Sequence, residues 1–328
     1  AAQAQADLGA AKQAAAALDQ PIQAVAYSPD GSQLASAGQN RLVRLWNSEQ
    51  GTPGATYVGH PRALSAIAFV DAGRLVSAGG DATIVWDMAP EWRLEHVLGA
   101  AQGDSALADR VLALAFSPDG KLLATGAGEP SRGGEIKLWN MPDGSLARTL
   151  VDPHSDAVFS LSFSPDGQFL ASSSADRFMK VFQVNDGALR RVFEGHTHHV
   201  LGVGWRFDAK LLATCGADGV AKVWDFATGD QKLTTAALGK ELTSIGFIAD
   251  SPRVLVTSGD KTARVYHTDN GSNERTLGGA ADFLQQAALS FDGKIAVAGT
   301  QDSKILVWNV ETGQLLRQLD PLPVEPAK

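Results

Sequence analysis

Ser28-Pro29-Asp30-Gly31, followed by Leu34-Ala35-Ser36-Ala37-Gly38 and then by Leu42-Val43-Arg44-Leu45-Trp46, is the stretch whose reading decides the fold. Proline presets φ for the first central residue of a turn, aspartate bonds back to nearby backbone, and glycine accepts the positive φ that lets a strand reverse. The segment therefore predicts a hairpin turn, a strand of small residues, a second tight turn and a strand that ends in an aromatic. The same punctuation returns at Ser117-Pro118-Asp119-Gly120 and Ser164-Pro165-Asp166-Gly167. Degraded copies stand at Val70-Asp71-Ala72-Gly73, Arg206-Phe207-Asp208-Ala209, Ile248-Ala249-Asp250-Ser251 and Ser290-Phe291-Asp292-Gly293. The closing aromatics are Trp46, Trp86, Trp139, Phe182, Trp224, Tyr266 and Trp308, at spacings of 40, 53, 43, 42, 42 and 42 residues.

A fourth strand follows each aromatic, and four strands in about 42 residues is the arithmetic of one propeller blade. A lone blade leaves both faces of its sheet open, so such units stack radially until the ring closes. The expected fold is all-β, a seven-bladed propeller of four-stranded antiparallel blades. Composition agrees: 34 Gly and 14 Pro among 328 residues suit many turns, and no run of eighteen apolar residues predicts a transmembrane helix. The net charge of −8 opposes electrostatic binding of nucleic acid or anionic lipid. A single cysteine, Cys215, excludes an internal disulfide, paired-thiolate metal sites and c-type haem attachment. Within its small-residue strand it reads as a buried, inert thiol.

Over residues 20–320 the chain resembles the WD40-repeat family. The resemblance rests on Trp86-Asp87 and Trp224-Asp225, with Trp-Asn at Trp46-Asn47, Trp139-Asn140 and Trp308-Asn309. Gly-His at Gly59-His60 and Gly195-His196, with Pro153-His154 as a variant, adds to it. The resemblance implies a buried tetrad of loop His, strand Ser or Thr, turn Asp and Trp. His196, Thr214, Asp218 and Trp224 supply it in blade 5; His60, Ser77, Asp81 and Trp86 supply it in blade 2, one residue short between Asp and Trp. This chain resembles a catalytic relay in residue types, but a hydroxyl tied to an indole inside a core has no exposed oxyanion site. Phe182 and Tyr266 replace Trp in blades 4 and 6, Asn40 stands in the Asp slot of blade 1, and blade 3 lacks both His and Asp. Local stability is accordingly expected to vary around the ring, with blade 3 held by apolar burial.

Other residues have bland readings. Arg44, Lys137, Lys180, Lys222 and Arg264, each two before the aromatic, are expected to snorkel from the third strand to water. His196, His198 and His199 lie close in sequence, but adjacent histidines in an extended loop point apart, so no metal site is assigned. Gly239-Lys240 and the glycines near Arg132 lack phosphate-loop spacing. No cofactor and no catalytic residue is expected.

The 53-residue interval carries 11 extra residues, placed before the first strand of blade 3 (Gly99 to Arg110) and in its second-to-third-strand turn (Glu129 to Gly133). Both loop types emerge on the face of a propeller called the top, so the insertions should be neighbours. Asp104, Asp109, Arg110, Glu129 and Arg132 on them are candidate partner-binding residues. Arg62, Asp156, His198, Lys240 and Phe283 occupy comparable loops elsewhere. Trp92 is either an edge anchor or a covered aromatic.

Residues 1–20, with ten Ala, read as a helix, a linker or a closing strand, and 321–328 as a Pro-rich tail around a propeller spanning 21–320. Leu315 to Leu319 and Ala14 to Leu18 compete for the outer slot of blade 7. Such repeats often occur as modules of larger bacterial chains. The function expected is a non-catalytic, monomeric scaffold that binds a protein or peptide on its top face near blade 3. The alternatives are a spacer module, or a ligand-binding, metal-binding or enzymatic propeller using the central channel.

Overall fold

The computed structural model describes residues 20–80, 82–88, 94–99, 103, 106–107, 109–141 and 143–320. These form seven four-stranded antiparallel sheets, each built from consecutive strands A to D, inner to outer. The blades run from 22 to 58, 64 to 98, 111 to 149, 158 to 193, 200 to 234, 242 to 277 and 284 to 319. The ring is a seven-bladed β-propeller, as the 42-residue period predicts.

The core is a set of wedges, one or two per interface between blades. Met179, Val181 and Phe193 of blade 4 pack against Val203, Trp205 and Trp224 of blade 5, and Ile22, Val25 and Trp46 of blade 1 pack against Val297, Ile305 and Val307 of blade 7. Alternation within each strand sends one residue set to each neighbour, so no blade can bury its apolar faces alone.

Both faces carry a sevenfold backbone signature. On the top face, the residue at or just after the end of strand B donates to the carbonyl just before strand A in every blade, as Gly128 does to Arg110 and Ala175 to Ala157. On the lower face, the residue after strand C donates to the A–B turn in every blade, as Val184 does to Gln168 and Val310 to Lys294. The glycines of the Ser-x-Asp-Gly turns take the expected positive φ, 69° to 71° at Gly31, Gly120, Gly167 and Gly293, and Ala209 takes 56° in blade 5. Two degraded turns differ. Asp71 pairs directly with Arg74 across a tighter hairpin in blade 2, and in blade 6 the positive φ moves to Ala249.

Every A strand carries a β-bulge near its top end. The extra residue has no ladder partner and faces the channel, which is why Gln23, Ser65, Leu112, Phe159, Leu201, Thr243 and Gln285 all line it.

The outer slot of blade 7 is filled by Leu315–Leu319, which pairs with Ile305 to Trp308. The strand from Ala14 to Leu18 that competes for that slot lies outside the described residues. The ring therefore closes without strand exchange. Arg317 Nη1 reaches the Ser48 carbonyl at 2.9 Å, and the Ser303 hydroxyl donates to the Gln20 carbonyl. Arg148 and Arg191 make the same outer-rim reach onto the C–D turns of the next blades, at Asn185, Asp186, Ala227 and Thr228.

Candidate functional site

Two sets of polar side chains bear on function: the buried networks inside blades and the loops of the top face. In blade 5 the network is complete. His196 donates from Nδ1 to Asp218 at 2.9 Å, the Thr214 hydroxyl lies 2.8 Å from His196 Nε2, and Trp224 Nε1 donates to Thr214 at 2.8 Å. The carboxylate fixes the imidazole tautomer, so Thr214 donates to Nε2 and accepts from the indole. In blade 2, His60 and Trp86 meet Ser77 at 2.8 Å each, while Asp81 lies outside the described residues.

The sequence reading assigns the tetrad to two blades, and blade 4 adds a three-membered version of it. His154 bonds Asp176 at 2.8 Å and Ser172 at 2.7 Å, with Phe182 in place of the indole. Thr214 and Ser172 are fully buried, so neither hydroxyl is open to an incoming substrate. Blades 1 and 3 keep only the indole-to-hydroxyl bond, Trp46 to Ser36 and Trp139 to Thr125. In blade 7 the hydroxyl slot holds Ala298, and Trp308 donates instead to the Gly278 carbonyl at 2.7 Å. Cys215 is fully buried and burial pushes its thiol well up, which makes it a poor nucleophile.

Burial holds His154 below the usual imidazole range, outweighing the bond from Asp176 that favours the cation. Burial also works to raise Asp176, but the bonds from His154, Phe178 and Ser155 overcome it and leave the carboxyl low. Between the folded and unfolded values of His154 the unfolded chain binds more protons, so stability falls as pH drops below 6.5. Asp176 adds a loss of the same sign below 3.8. Thermal midpoints are expected to decline from pH 7 to 5, with a slope of at most about 1.4 kcal/mol per pH unit from this one proton. His154→Gln should flatten that decline; an unchanged profile in the variant would rule the histidine out.

The basic residues two before the aromatics do not snorkel to water. Arg44, Lys137 and Lys222 are buried, and the charged ends of Lys137, Lys180, Lys222 and Arg264 have protein partners. Lys137 meets Glu135 and the Ala106 carbonyl, Lys180 the Pro153 carbonyl, Lys222 Gln231 and Thr234, and Arg264 Asp260. Strand D covers strand C on one side, and the approach loops bring carbonyls within reach at the top. The Lys137 bond also ties the first insertion down to its own blade.

On the top face the structure gathers three of the candidates. Arg62, Asp109 and Arg110 line a depression of about 260 Å³ between blades 2 and 3, with Gly79, Gly80 and Leu107. Arg62 Nη1 donates to the Gly80 carbonyl at 3.1 Å, and Asp109 accepts the Arg110 backbone N–H at 2.8 Å. A Cβ on Gly80 would stand 3.6 Å from the Arg62 chain and 3.9 Å from Arg110 Cβ, so this glycine leaves room between the two arginines. Gly128, just before the second insertion, donates to the carbonyl of Arg110, the last residue of the first, so the two insertions meet the blade side by side.

Glu129 and Arg132 pair with each other at 3.0 Å. Asp156 accepts from the Ser131 backbone at 3.0 Å and so links the second insertion to blade 4. His198 is exposed beside His199, whose ring lies 6.1 Å from Phe159 at the channel mouth. Lys240 is exposed on the approach to blade 6, whereas Phe283 is half-buried against Gly259. Asp104 and Trp92 lie outside the described residues.

The channel, about 560 Å³, is lined by both apolar and polar residues of the inner strands. Blades 3 to 5 give it Leu112, Phe159 and Leu201, but the others give Gln23, Ser65, Thr243 and Gln285. Glu241 is the one charged residue of its lining among the described residues. No grouping of three or more His, Cys, Asp or Glu able to hold a metal occurs among the described residues.

Seven contiguous blades, with a His–hydroxyl–Asp network buried inside the sheets and variable loops above them, define a repeat-built propeller whose polar networks hold blades together. Residues 16–47, 51–87, 103–140, 144–183 and 187–225 match the WD40 family, described as WD domain, G-beta repeat, and together cover more than half of the chain. The chain belongs to the WD40 family. It is similar to Protein hir1 of Schizosaccharomyces pombe, 27% identical over 40% of this chain and 15% of that protein. The WD repeat-containing protein slp1 of the same organism is 28% identical over 50% of this chain and 33% of its own length. Nuclear distribution protein PAC1 of Arthroderma otae is 30% identical over 39% of this chain and 28% of its own. The chain thus spans a third or less of the length of these relatives. All three are eukaryotic, so the bacterial setting expected from the repeat style draws no support from them.

Proposed function

We propose that the chain is a non-catalytic scaffold that binds a protein or peptide partner on its top face near blade 3. The observation that carries this reading is the depression between blades 2 and 3, where Arg62, Asp109 and Arg110 come from two separate loops to one concavity. Two guanidinium groups at a glycine-floored concavity suit an acidic side chain or chain terminus of a partner. The loops are tied by backbone bonds to their own blades, so their ordering cost is met on folding and binding needs little backbone change. Membership of a family that commonly serves protein assembly supports the same reading. Within it, 21–320 is the propeller.

The test recovers bound proteins from native extract on the tagged chain and on Arg62→Glu/Arg110→Glu, with matching circular dichroism required of both. The expected result is a protein captured by the parent and reduced at least about tenfold by the charge reversal, the range of a central arginine contact. Equal capture by both would move the site off this depression. Capture by neither would favour a spacer that holds flanking segments apart.

A further inference from the structure

On the lower face, at the seam where blade 7 meets blade 1, lies a groove of about 690 Å³. Its apolar lining is Tyr27, Pro29, Ile295, Val307, Leu316 and Phe291. Phe291 is 93% exposed, more than any other large apolar side chain among the described residues, and Leu316 is 43% exposed. Phe291 occupies the turn slot that holds Pro29, Pro118 and Pro165 in three other blades and, in blade 5, Phe207, which is 54% exposed. A turn needs no aromatic there, since proline supplies the required φ, and phenylalanine in water stabilises nothing. An exposed aromatic beside an apolar concavity is the arrangement that anchors a partner.

Charge decides what kind of partner fits. Three carboxylates, Asp30, Glu49 and Asp292, line the groove with the apolar residues, against one guanidinium, Arg317. Arg317 is committed to the Ser48 carbonyl, and Asp292 is shared with Lys294 at 3.2 Å. Asp30 takes its bonds from the Ser28 and Ser32 hydroxyls and the Ser32 N–H, which hold its carboxyl below the usual range and keep it anionic. A second copy would set this acidic rim against itself, which repels. The first strand starts and the last strand finishes on the top face, whereas the groove opens on the lower one.

We propose that the seam groove is a second docking surface, for a segment of a partner protein that presents an apolar side chain next to a lysine or arginine. It is separate from the top-face depression and stands or falls without it. The seam is where the last blade meets the first, so an occupant bridging blades 7 and 1 would also staple the ring.

The test titrates the whole chain with three capped hexapeptides and follows backbone amide shifts. One has a central leucine and phenylalanine flanked by lysines; a second has glutamates for the lysines; a third has serines for the two apolar residues. The lysine peptide is expected to saturate with shifts confined to residues 27–31, 48–49, 290–295 and 316–317, binding at least about fivefold tighter than either control. Phe291→Ser and Glu49→Gln, both at exposed positions, should each weaken it about threefold or more without changing the thermal midpoint. Three results would overturn the proposal: shifts that do not saturate or fall elsewhere, equal binding of the glutamate peptide, or a sedimenting dimer that Phe291→Ser dissociates. The last would give the groove to a second copy.

Discussion

Thr214→Val is expected to lower the stability of the chain by about 2–4 kcal/mol, although valine fills the same volume, because two buried polar groups lose their partner at once. The hydroxyl is the hinge of the blade 5 network: it meets His196 on one side and the Trp224 indole on the other. Valine leaves Nε2 and the indole N–H without that partner, at a site that is 0% exposed, where no water can replace it. Thr125→Val in blade 3 provides the comparison. Its hydroxyl serves the Trp139 indole, with no histidine in the slot, so the loss should be smaller, about 1 kcal/mol. Denaturant midpoints of the two variants measure the difference. Native-state hydrogen exchange then shows whether blade 3 opens more readily than blade 5; equal losses in the two variants, with uniform protection around the ring, would remove the case for uneven local stability.

Gly134→Val should cost about 3 kcal/mol, the upper end for overpacking, and should disturb blade 4 as well as blade 3. A Cβ here would stand 2.4 Å from the Asp156 carbonyl oxygen, 2.8 Å from Val158 Cγ2 and 3.1 Å from His154 Cβ. The first of these is backbone and cannot swing aside. Gly134 also donates to the His154 carbonyl at 3.0 Å, a bond that joins the start of strand C to the approach loop of the next blade. Forcing that contact apart moves His154, and with it the bonds to Asp176 and Ser172. Neighbouring Gly133 is the control, since the nearest atom to its Cβ is 3.9 Å away and only its φ of 94° resists a side chain. Gly133→Ala should therefore cost about 1 kcal/mol, the strain of one unfavourable φ. Similar melting points for the two variants would show that the contact yields.

These expectations divide along a physical line. The tetrad of blade 5 is legible because each member holds a fixed offset from a turn or an aromatic. The blade 4 network is legible too once Ser172 is placed two residues beyond Leu170, the ladder partner of the aromatic. Phe182 hides it, because a missing indole looks like a missing network. The buried lysines are misread for a related reason: a cation between two apolar residues of a strand looks like the water-facing member of the alternation, and only strand D and the approach loops show that it is covered and bonded.

The two surfaces behave differently again. The sequence marks the insertions around blade 3 by their extra length and places them on one face, but Arg62 sits about fifty residues from Arg110 in the chain. Their meeting across Gly80 depends on how blades 2 and 3 stack. The seam groove carried no signal beyond Phe291 in a turn slot that proline fills in three blades and a second phenylalanine, Phe207, fills in blade 5.

By itself the sequence determined the blade: its turns, its strand count, its number of copies and hence a closed ring, because turn chemistry and strand alternation act within about 42 residues. The tertiary structure alone decided how the ring closes, which cations are buried, which bulged residues face the channel and which loops share a concavity. Those properties belong to the packing of one sheet against the next, where contacts join residues from different repeats and the register between blades is set by the wedges of core between them.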